Sequence, residues 1–181
     1  MLGGAIAALL LLGGYGTAFS QGTLTFSTVG GAVGFGEVFQ YDGSTPADTS
    51  FSAQLYGSAT GVAGSFVAIS PTETFLSGLP GYIFYATTIT PGPAAGSTYY
   101  YEILVWTASA GSYAAAQGIN GDQYGTTEVA SFALGGAGSP PSTPPSTTGF
   151  HDLTLTLVPE PATCALMGLG GLSLLLFRRR K

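Results

Sequence analysis

Apolar and polar residues alternate in short runs through the middle of this chain, and this alternation restricts the fold more than any other feature. The clearest run is 151–158, where three leucines alternate with polar residues (Leu153, Leu155 and Leu157 against Asp152, Thr154 and Thr156). Successive side chains of a strand point to opposite faces, so a period of two predicts a strand with one buried face. No window outside the two ends keeps a helical period for three turns. An all-β fold is therefore predicted.

Comparable runs recur along the chain, at residues 23–27, 51–56, 83–89, 99–107 and 128–134. The runs 83–89 and 99–107 are rich in apolar, β-branched and aromatic residues, which predicts that neither is a surface strand. Strands of this length and spacing are typical of antiparallel sheets packed face to face. The prediction is a single antiparallel β-sandwich-like domain, flanked by an N-terminal signal helix and a C-terminal transmembrane helix.

Turn-forming residues separate the predicted strands. They occur at residues 42–44, 79–81, 91–93 and 120–122, where glycine or proline supplies the backbone conformation that a turn needs. The segment 135–149 contains four prolines and no large apolar side chain, which predicts a Pro/Ser/Thr-rich surface loop before the last strand. The predicted extracellular domain spans residues 21–158 and includes this loop.

Positive charge is confined to the last four residues, Arg178–Lys181, and nine carboxylates precede them. Because the body carries no cation to neutralise phosphate, it cannot bind nucleic acid by the usual electrostatic route. The single cysteine, Cys164, permits neither an intrachain disulfide nor a cysteine-based zinc site. Nucleic-acid binding and disulfide-stapled folds are thus excluded.

The N-terminal residues 1–20 have the features of a secretory signal peptide. A short apolar stretch, Ala5–Leu12, is too short to span a bilayer. Small residues, Ala18 and Ser20, occupy the −3 and −1 positions of a cleavage after Ser20. No lysine or arginine lies near Met1, which departs from the usual pattern. We expect a mature chain that begins near Gln21.

The C-terminal residues are arranged in three consecutive parts. The peptide Val158-Pro159-Glu160-Pro161 comes first, and its prolines keep the backbone at Glu160 extended. An apolar run, 162–177, follows and would be about 24 Å long as a helix, somewhat less than the ~30 Å hydrocarbon core of a bilayer. The basic cluster Arg178–Lys181 ends the chain and should stay on the cytoplasmic side.

This order of motif, apolar run and basic tail resembles the PEP-CTERM sorting signal of exopolysaccharide-producing Gram-negative bacteria. The resemblance covers residues 158–181 only, and the bodies attached to this signal imply no particular activity. It implies that an exosortase, a membrane protease-transferase, recognises Val158, Pro159, Glu160 and Pro161 and then releases or transfers the protein. The alternative is an ordinary tail-anchored helix that follows a chance Pro-Glu-Pro.

No catalytic or metal-binding arrangement is recognisable, so we expect neither an enzyme nor a cofactor. The only histidine, His151, lies in a predicted strand, and Cys164 lies in the apolar run, away from any base. The acidic residues Asp42, Asp48 and Asp122 lack the spacing of a calcium loop. A calcium site at these residues, or an unrecognised pair of carboxylates acting on glycosides, is the alternative.

An aromatic strip offers a different function. On a strand, Tyr100, Glu102, Leu104 and Trp106 would share one face. If that face were exposed, Tyr100 and Trp106 could stack on sugar rings, whereas a buried Trp106 would simply belong to the core.

The sequence therefore predicts an exported cell-surface or exopolysaccharide-matrix protein without catalytic activity. It would be anchored transiently in the membrane through residues 162–177 and sorted by an exosortase, with exopolysaccharide as a candidate partner. The alternative is a carbohydrate-binding surface module that uses exposed aromatic residues.

Overall fold

The structure is a computed structural model that describes residues 20–138 and 140–160. As the alternating runs predicted, these residues form a mostly β fold, which is divided among several sheets. The strands are β1 (Leu24–Ser27), β2 (Val38–Phe39), β3 (Phe51–Ser58), β4 (Val67–Thr74), β5 (Phe84–Ile89), β6 (Thr98–Thr107), β7 (Gln123–Thr126), β8 (Ala130–Ala133), β9 (Leu153–Thr154) and β10 (Thr156–Leu157), and one helical turn forms α1 (Tyr113–Ala116).

A six-stranded antiparallel sheet is the centre of the fold. Its order is β10-β7-β6-β3-β4. The sixth strand, β8, lies on the same edge of β6 as β7, and the two strands pair with different halves of that edge. The longest strand, β6, pairs with β3 in an unbroken register from Phe51 opposite Thr107 to Ser58 opposite Tyr100. This register determines which residues of β3 and β6 lie side by side on each face of the sheet.

One face of the large sheet, which we call the inner face, contributes to the hydrophobic core. Alternate residues of β6 (Tyr99, Tyr101, Ile103 and Val105) are buried there. The same core cluster contains Leu24 and Phe26 of β1 and Val38 of β2. Because these strands belong to two smaller sheets, β1-β5 and β2-β9, the core lies between the large sheet and the small ones.

Two details of the predicted fold are wrong. Strands β2 and β9 pair in parallel, so the domain is not purely antiparallel. The run 83–89 does form a strand, β5, but most of it is exposed, and the Phe84 side chain is 51% accessible. β5 pairs with β1 alone, and Ile89 is its one buried residue. Apolar composition thus overstated its burial.

Strand β4 was not predicted, and its sequence explains why. It is an edge strand whose side chains are mostly exposed, and it contains Pro71, which cannot donate to a neighbouring strand. The pairing with β3 is irregular at this point, between Gln54 and Tyr56. There the Ser70 hydroxyl accepts the Leu55 N–H at 3.0 Å and replaces a backbone acceptor. Such a strand lacks the alternation of apolar and polar residues that predicts a strand with one buried face.

The proline-rich segment 135–149, apart from residue 139, is a loop that lies along β1. The Thr25 N–H donates to the Pro145 carbonyl at 2.9 Å. The Thr147 hydroxyl is fully buried and donates to the Ser27 carbonyl at 3.1 Å. Hydrogen bonds at both ends of β1 therefore hold this loop against the body.

The two predicted terminal segments lie outside the described residues, except for Ser20. They are the signal peptide, residues 1–20, and the apolar run 162–177 with its basic tail. Across residues 20–138 and 140–160, no helix has the length and apolar character needed to cross a membrane.

A threonine just beyond β7 completes the pairing of β6, and its removal should destabilise the fold. The Thr127 hydroxyl accepts the Ile103 N–H at 2.9 Å, and both residues are buried. Thr127→Val keeps the shape but leaves that N–H without a partner, so we expect a loss of about 1–3 kcal/mol in the free energy of unfolding. Thr126→Val, at the exposed neighbouring position, is the control and should change it by less than about 0.5 kcal/mol. Urea unfolding of both variants checks this, and equal losses would contradict it.

Candidate functional site

The sorting peptide begins where the fold ends. Val158 is the last residue in the sheet region: its N–H donates to the Asp122 carbonyl at 2.8 Å, and its carbonyl accepts the Gly121 N–H at 3.1 Å. Pro159 and Glu160 follow and are exposed, and Pro161 lies outside the described residues. The structure therefore separates the predicted motif residues into one that is part of the body and two that project from it.

Tyr100 and Trp106 share one face of β6, as predicted. This is the opposite face of the large sheet, which we call the outer face, and Trp106 stands there opposite Ser52. Trp106 lacks the exposure that the sugar-stacking alternative requires, since it is only 3% accessible, and it is buried as the other alternative expected. Tyr100 is half-buried and packs closely against Gly61, where an added Cβ would lie 2.8 Å from the ring.

The cover over Trp106 comes from the chain that follows β6. Gly111 takes a left-handed conformation (φ 77°) that ends a short 3-10 turn. Ser112 then caps α1 by accepting the Ala115 N–H at 3.2 Å. Trp106 and residues 111–114 line the same cavity, which places this segment over the end of the outer face.

A groove crosses the outer face between two walls, and we call it the outer groove. Its floor contains Tyr56 and Leu104, which line two neighbouring cavities of about 370 and 240 Å³. The larger cavity is closed by the β3–β4 loop (Gly61, Ala63, Gly64 and Phe66) and by Val129. The smaller one is closed by residues 111–114, with Gln54 and Thr72 on the opposite side.

Side-chain hydrogen bonds hold the loop wall of the groove in place. The Ser58 hydroxyl accepts the Thr60 and Gly61 N–H groups, both at 3.1 Å. It also lies 2.6 Å from the Ser65 hydroxyl. The hydroxyls of Ser58, Thr60 and Ser65 thus form one hydrogen-bond network at the end of β3, and this network holds the loop wall in its conformation.

Among the described residues, Glu102 supplies the only carboxylate in the lining of either cavity. It stands directly opposite Tyr56 in the β3–β6 register and is partly buried. Burial raises the pKa of the Glu102 carboxyl. No hydrogen bond or ion pair from another described residue compensates this carboxylate, so it is available to a donor that enters the groove.

Only part of this groove could be predicted from the sequence. Glu102, Leu104 and Trp106 were placed on one face by their alternation within β6. The lining residues Gln54, Tyr56, Phe66, Thr72, Tyr113 and Val129 were not singled out. Their proximity depends on the register of β3 with β6 and on the path of two loops, which no local pattern shows.

Two of the three acidic residues considered for calcium, Asp42 and Asp48, serve local turns. The Asp42 carboxylate accepts the Ser44 and Thr45 N–H groups and the Thr45 hydroxyl. The Thr45 hydroxyl and these N–H groups lower the pKa of Asp42 to about 2. Asp48 accepts from Ser50 in the same way. Among the described residues, no group of three or more metal-ligating side chains occurs.

His151 lies on the surface and is not part of the outer groove. Its side chain is 70% accessible and pairs through Nδ1 with Glu128, and its ring lies 4.4 Å from that of Phe35. The hydrogen bonds from His151 lower the pKa of the Glu128 carboxyl. These contacts tie the start of the last run of strands to the turn before β8.

The described residues thus define a β-rich body whose chain leaves the last strand as an exposed, proline-flanked glutamate. Residues 157–181 match the PEP-CTERM protein-sorting motif. The chain therefore carries the signal of an exosortase substrate, and the motif implies sorting to the cell exterior through a membrane-anchored precursor. No curated protein and no solved structure matches the chain.

Proposed function

We propose that this protein is a non-catalytic structural component of the cell surface or of the exopolysaccharide matrix, delivered there by an exosortase. The precursor is held in the inner membrane by residues 162–177 and processed at Pro159-Glu160-Pro161. The observation that carries the proposal is the match of residues 157–181 to the sorting motif.

The position of the motif relative to the body supports this proposal. The last strand, β10, ends at Leu157, and the last backbone hydrogen bonds of the body are those of Val158. Cleavage within Pro159–Pro161 would therefore release the whole sheet intact. The processing enzyme would meet an extended peptide, because the two prolines keep Glu160 out of helical conformations.

The placement of the one histidine supports a role without catalysis. Its ring is engaged by Glu128 and Phe35 on an exposed surface, and not in a cleft beside a nucleophile. The body would be a module that is presented to the exterior, with a groove on its outer face.

Mass spectrometry of the protein from the outer fraction of the native host tests the sorting step. The mature protein is expected to lack Arg178–Lys181, and a strain without its exosortase should retain these residues in a membrane-bound precursor. Intact C-terminal peptides in the outer fraction of the normal strain would refute the proposal.

A further inference from the structure

The outer groove has the dimensions of a site for small rings. Each of its two cavities is at or below the low end of the ~300–1,000 Å³ that is usual for ligand pockets. Tyr56 and Leu104 line both cavities, so the two lie side by side along one floor. A ligand with two consecutive rings could place one ring in each cavity.

The charge of the groove restricts what can enter it. Glu102 is an acceptor without a partner among the described residues, so a ligand that satisfies it must present hydroxyl, amide or ammonium donors. Every lysine and arginine of the chain lies within residues 178–181, so the described lining of the groove offers no cation to an acidic ligand. Uronic acids, sulfates and phosphates would face uncompensated repulsion from Glu102.

The remaining lining residues combine aromatic rings with short polar groups. Tyr56 lies on the floor, and Trp106 and Tyr113 line the smaller cavity together with Gln54 and Thr72. Aromatic side chains offer a flat apolar surface with a polar edge. A pyranose ring has the matching form, because one face carries C–H groups and the rim carries hydroxyls.

We propose that the outer groove binds a non-acidic polysaccharide, with two neighbouring sugar units in its two cavities and a hydroxyl or ammonium donor on Glu102. This inference deepens the proposed function, since it names the matrix material that the body contacts. It uses the same outer face that was considered for sugar stacking, but the floor is formed by Tyr56 and Leu104, and buried Trp106 contributes only to the lining of one cavity.

Binding of defined oligosaccharides to the purified full chain in detergent tests the proposal independently of sorting. The probes are hexasaccharides of glucose, mannose, galactose, glucosamine and mannuronic acid, titrated by calorimetry and by fluorescence of Trp106, the only tryptophan. We expect at least one neutral sugar or the glucosamine hexamer to bind and to change the Trp106 emission. The mannuronic acid hexamer should not bind.

Matched variants identify the groove as the site. Glu102→Gln and Tyr56→Ala should weaken binding by about tenfold or more, the effect of losing one central contact. Glu128→Gln and Tyr41→Ala change the same residue types at exposed positions outside the groove and should bind as the wild type does.

Two filling variants remain informative if a floor variant fails to fold. Ala63→Trp would obstruct the larger cavity and Ala114→Trp the smaller one, and both positions are exposed. Each should abolish binding of a ligand that spans both cavities. The proposal is overturned if none of the hexamers binds, if only the acidic one binds, or if the filling variants bind normally. Those outcomes leave the sorting proposal untouched, because it depends on residues 157–181 alone.

Discussion

Glu160→Gln is expected to leave the protein as a membrane-bound precursor that is not processed at its C-terminus. Glu160 is the only charged residue of the sorting peptide Val158–Pro161 and is exposed beyond the last hydrogen bonds of the body. Nothing in the described body competes for its carboxylate, so a processing enzyme has free access to it.

The substitution keeps the shape of the side chain and removes only its charge, so its effect measures what the charge contributes to processing. If the enzyme pairs the carboxylate with a buried cation, loss of that pair costs about 2–5 kcal/mol and slows processing at least ~30-fold. Immunoblots of membrane and outer fractions from the native host would show the precursor at the expense of the mature form.

Glu128→Gln is the matched control, since it removes the same charge from an exposed position in the body. It should be processed at the normal rate. The N-terminus of the accumulated Glu160→Gln precursor should begin near Gln21, which would show that export itself proceeds. Normal release of the Glu160→Gln protein would mean that the processing enzyme does not recognise the Glu160 carboxylate.

The sorting peptide and the groove differ in how far sequence could identify them. The peptide is contiguous, and its prolines dictate its backbone locally, so Val158–Pro161 could be placed without a structure. The groove depends on Tyr56 meeting Glu102 across two strands and on a loop and a helical turn forming walls. These are non-local contacts, and composition did not indicate them.

The strands show the same division. The run that became β6 was identified by its β-branched and aromatic composition, which suits a strand at the centre of a sheet. β4 was missed and the burial of β5 was overstated because strands at the edge of a sheet do not bury a complete face, and Pro71 interrupts β4. The predicted all-antiparallel pairing failed where the chain returns at β9 beside β2, a contact between residues far apart in sequence.

Phe26→Ala should be the most destabilising single truncation in the β1-β5 sheet. Phe26 belongs to β1, is 0% accessible, and packs in the same cluster as the inner face of the large sheet. Truncation of a buried phenylalanine leaves a cavity and costs about 3–5 kcal/mol. For a body of this size, that loss lowers the melting temperature by roughly 10 °C or more.

Phe84→Ala offers a matched comparison, because Phe84 lies on β5, which pairs with β1 opposite Ser27. Its side chain is 51% accessible, so its removal should cost about 1 kcal/mol or less. Both variants can be unfolded in urea and followed by the fluorescence of buried Trp106, which lies on the far side of the large sheet. A single transition with a large shift for Phe26→Ala alone would show that the small sheets and the large sheet unfold together. Equal shifts would mean that the β1-β5 sheet does not share its core with the large one.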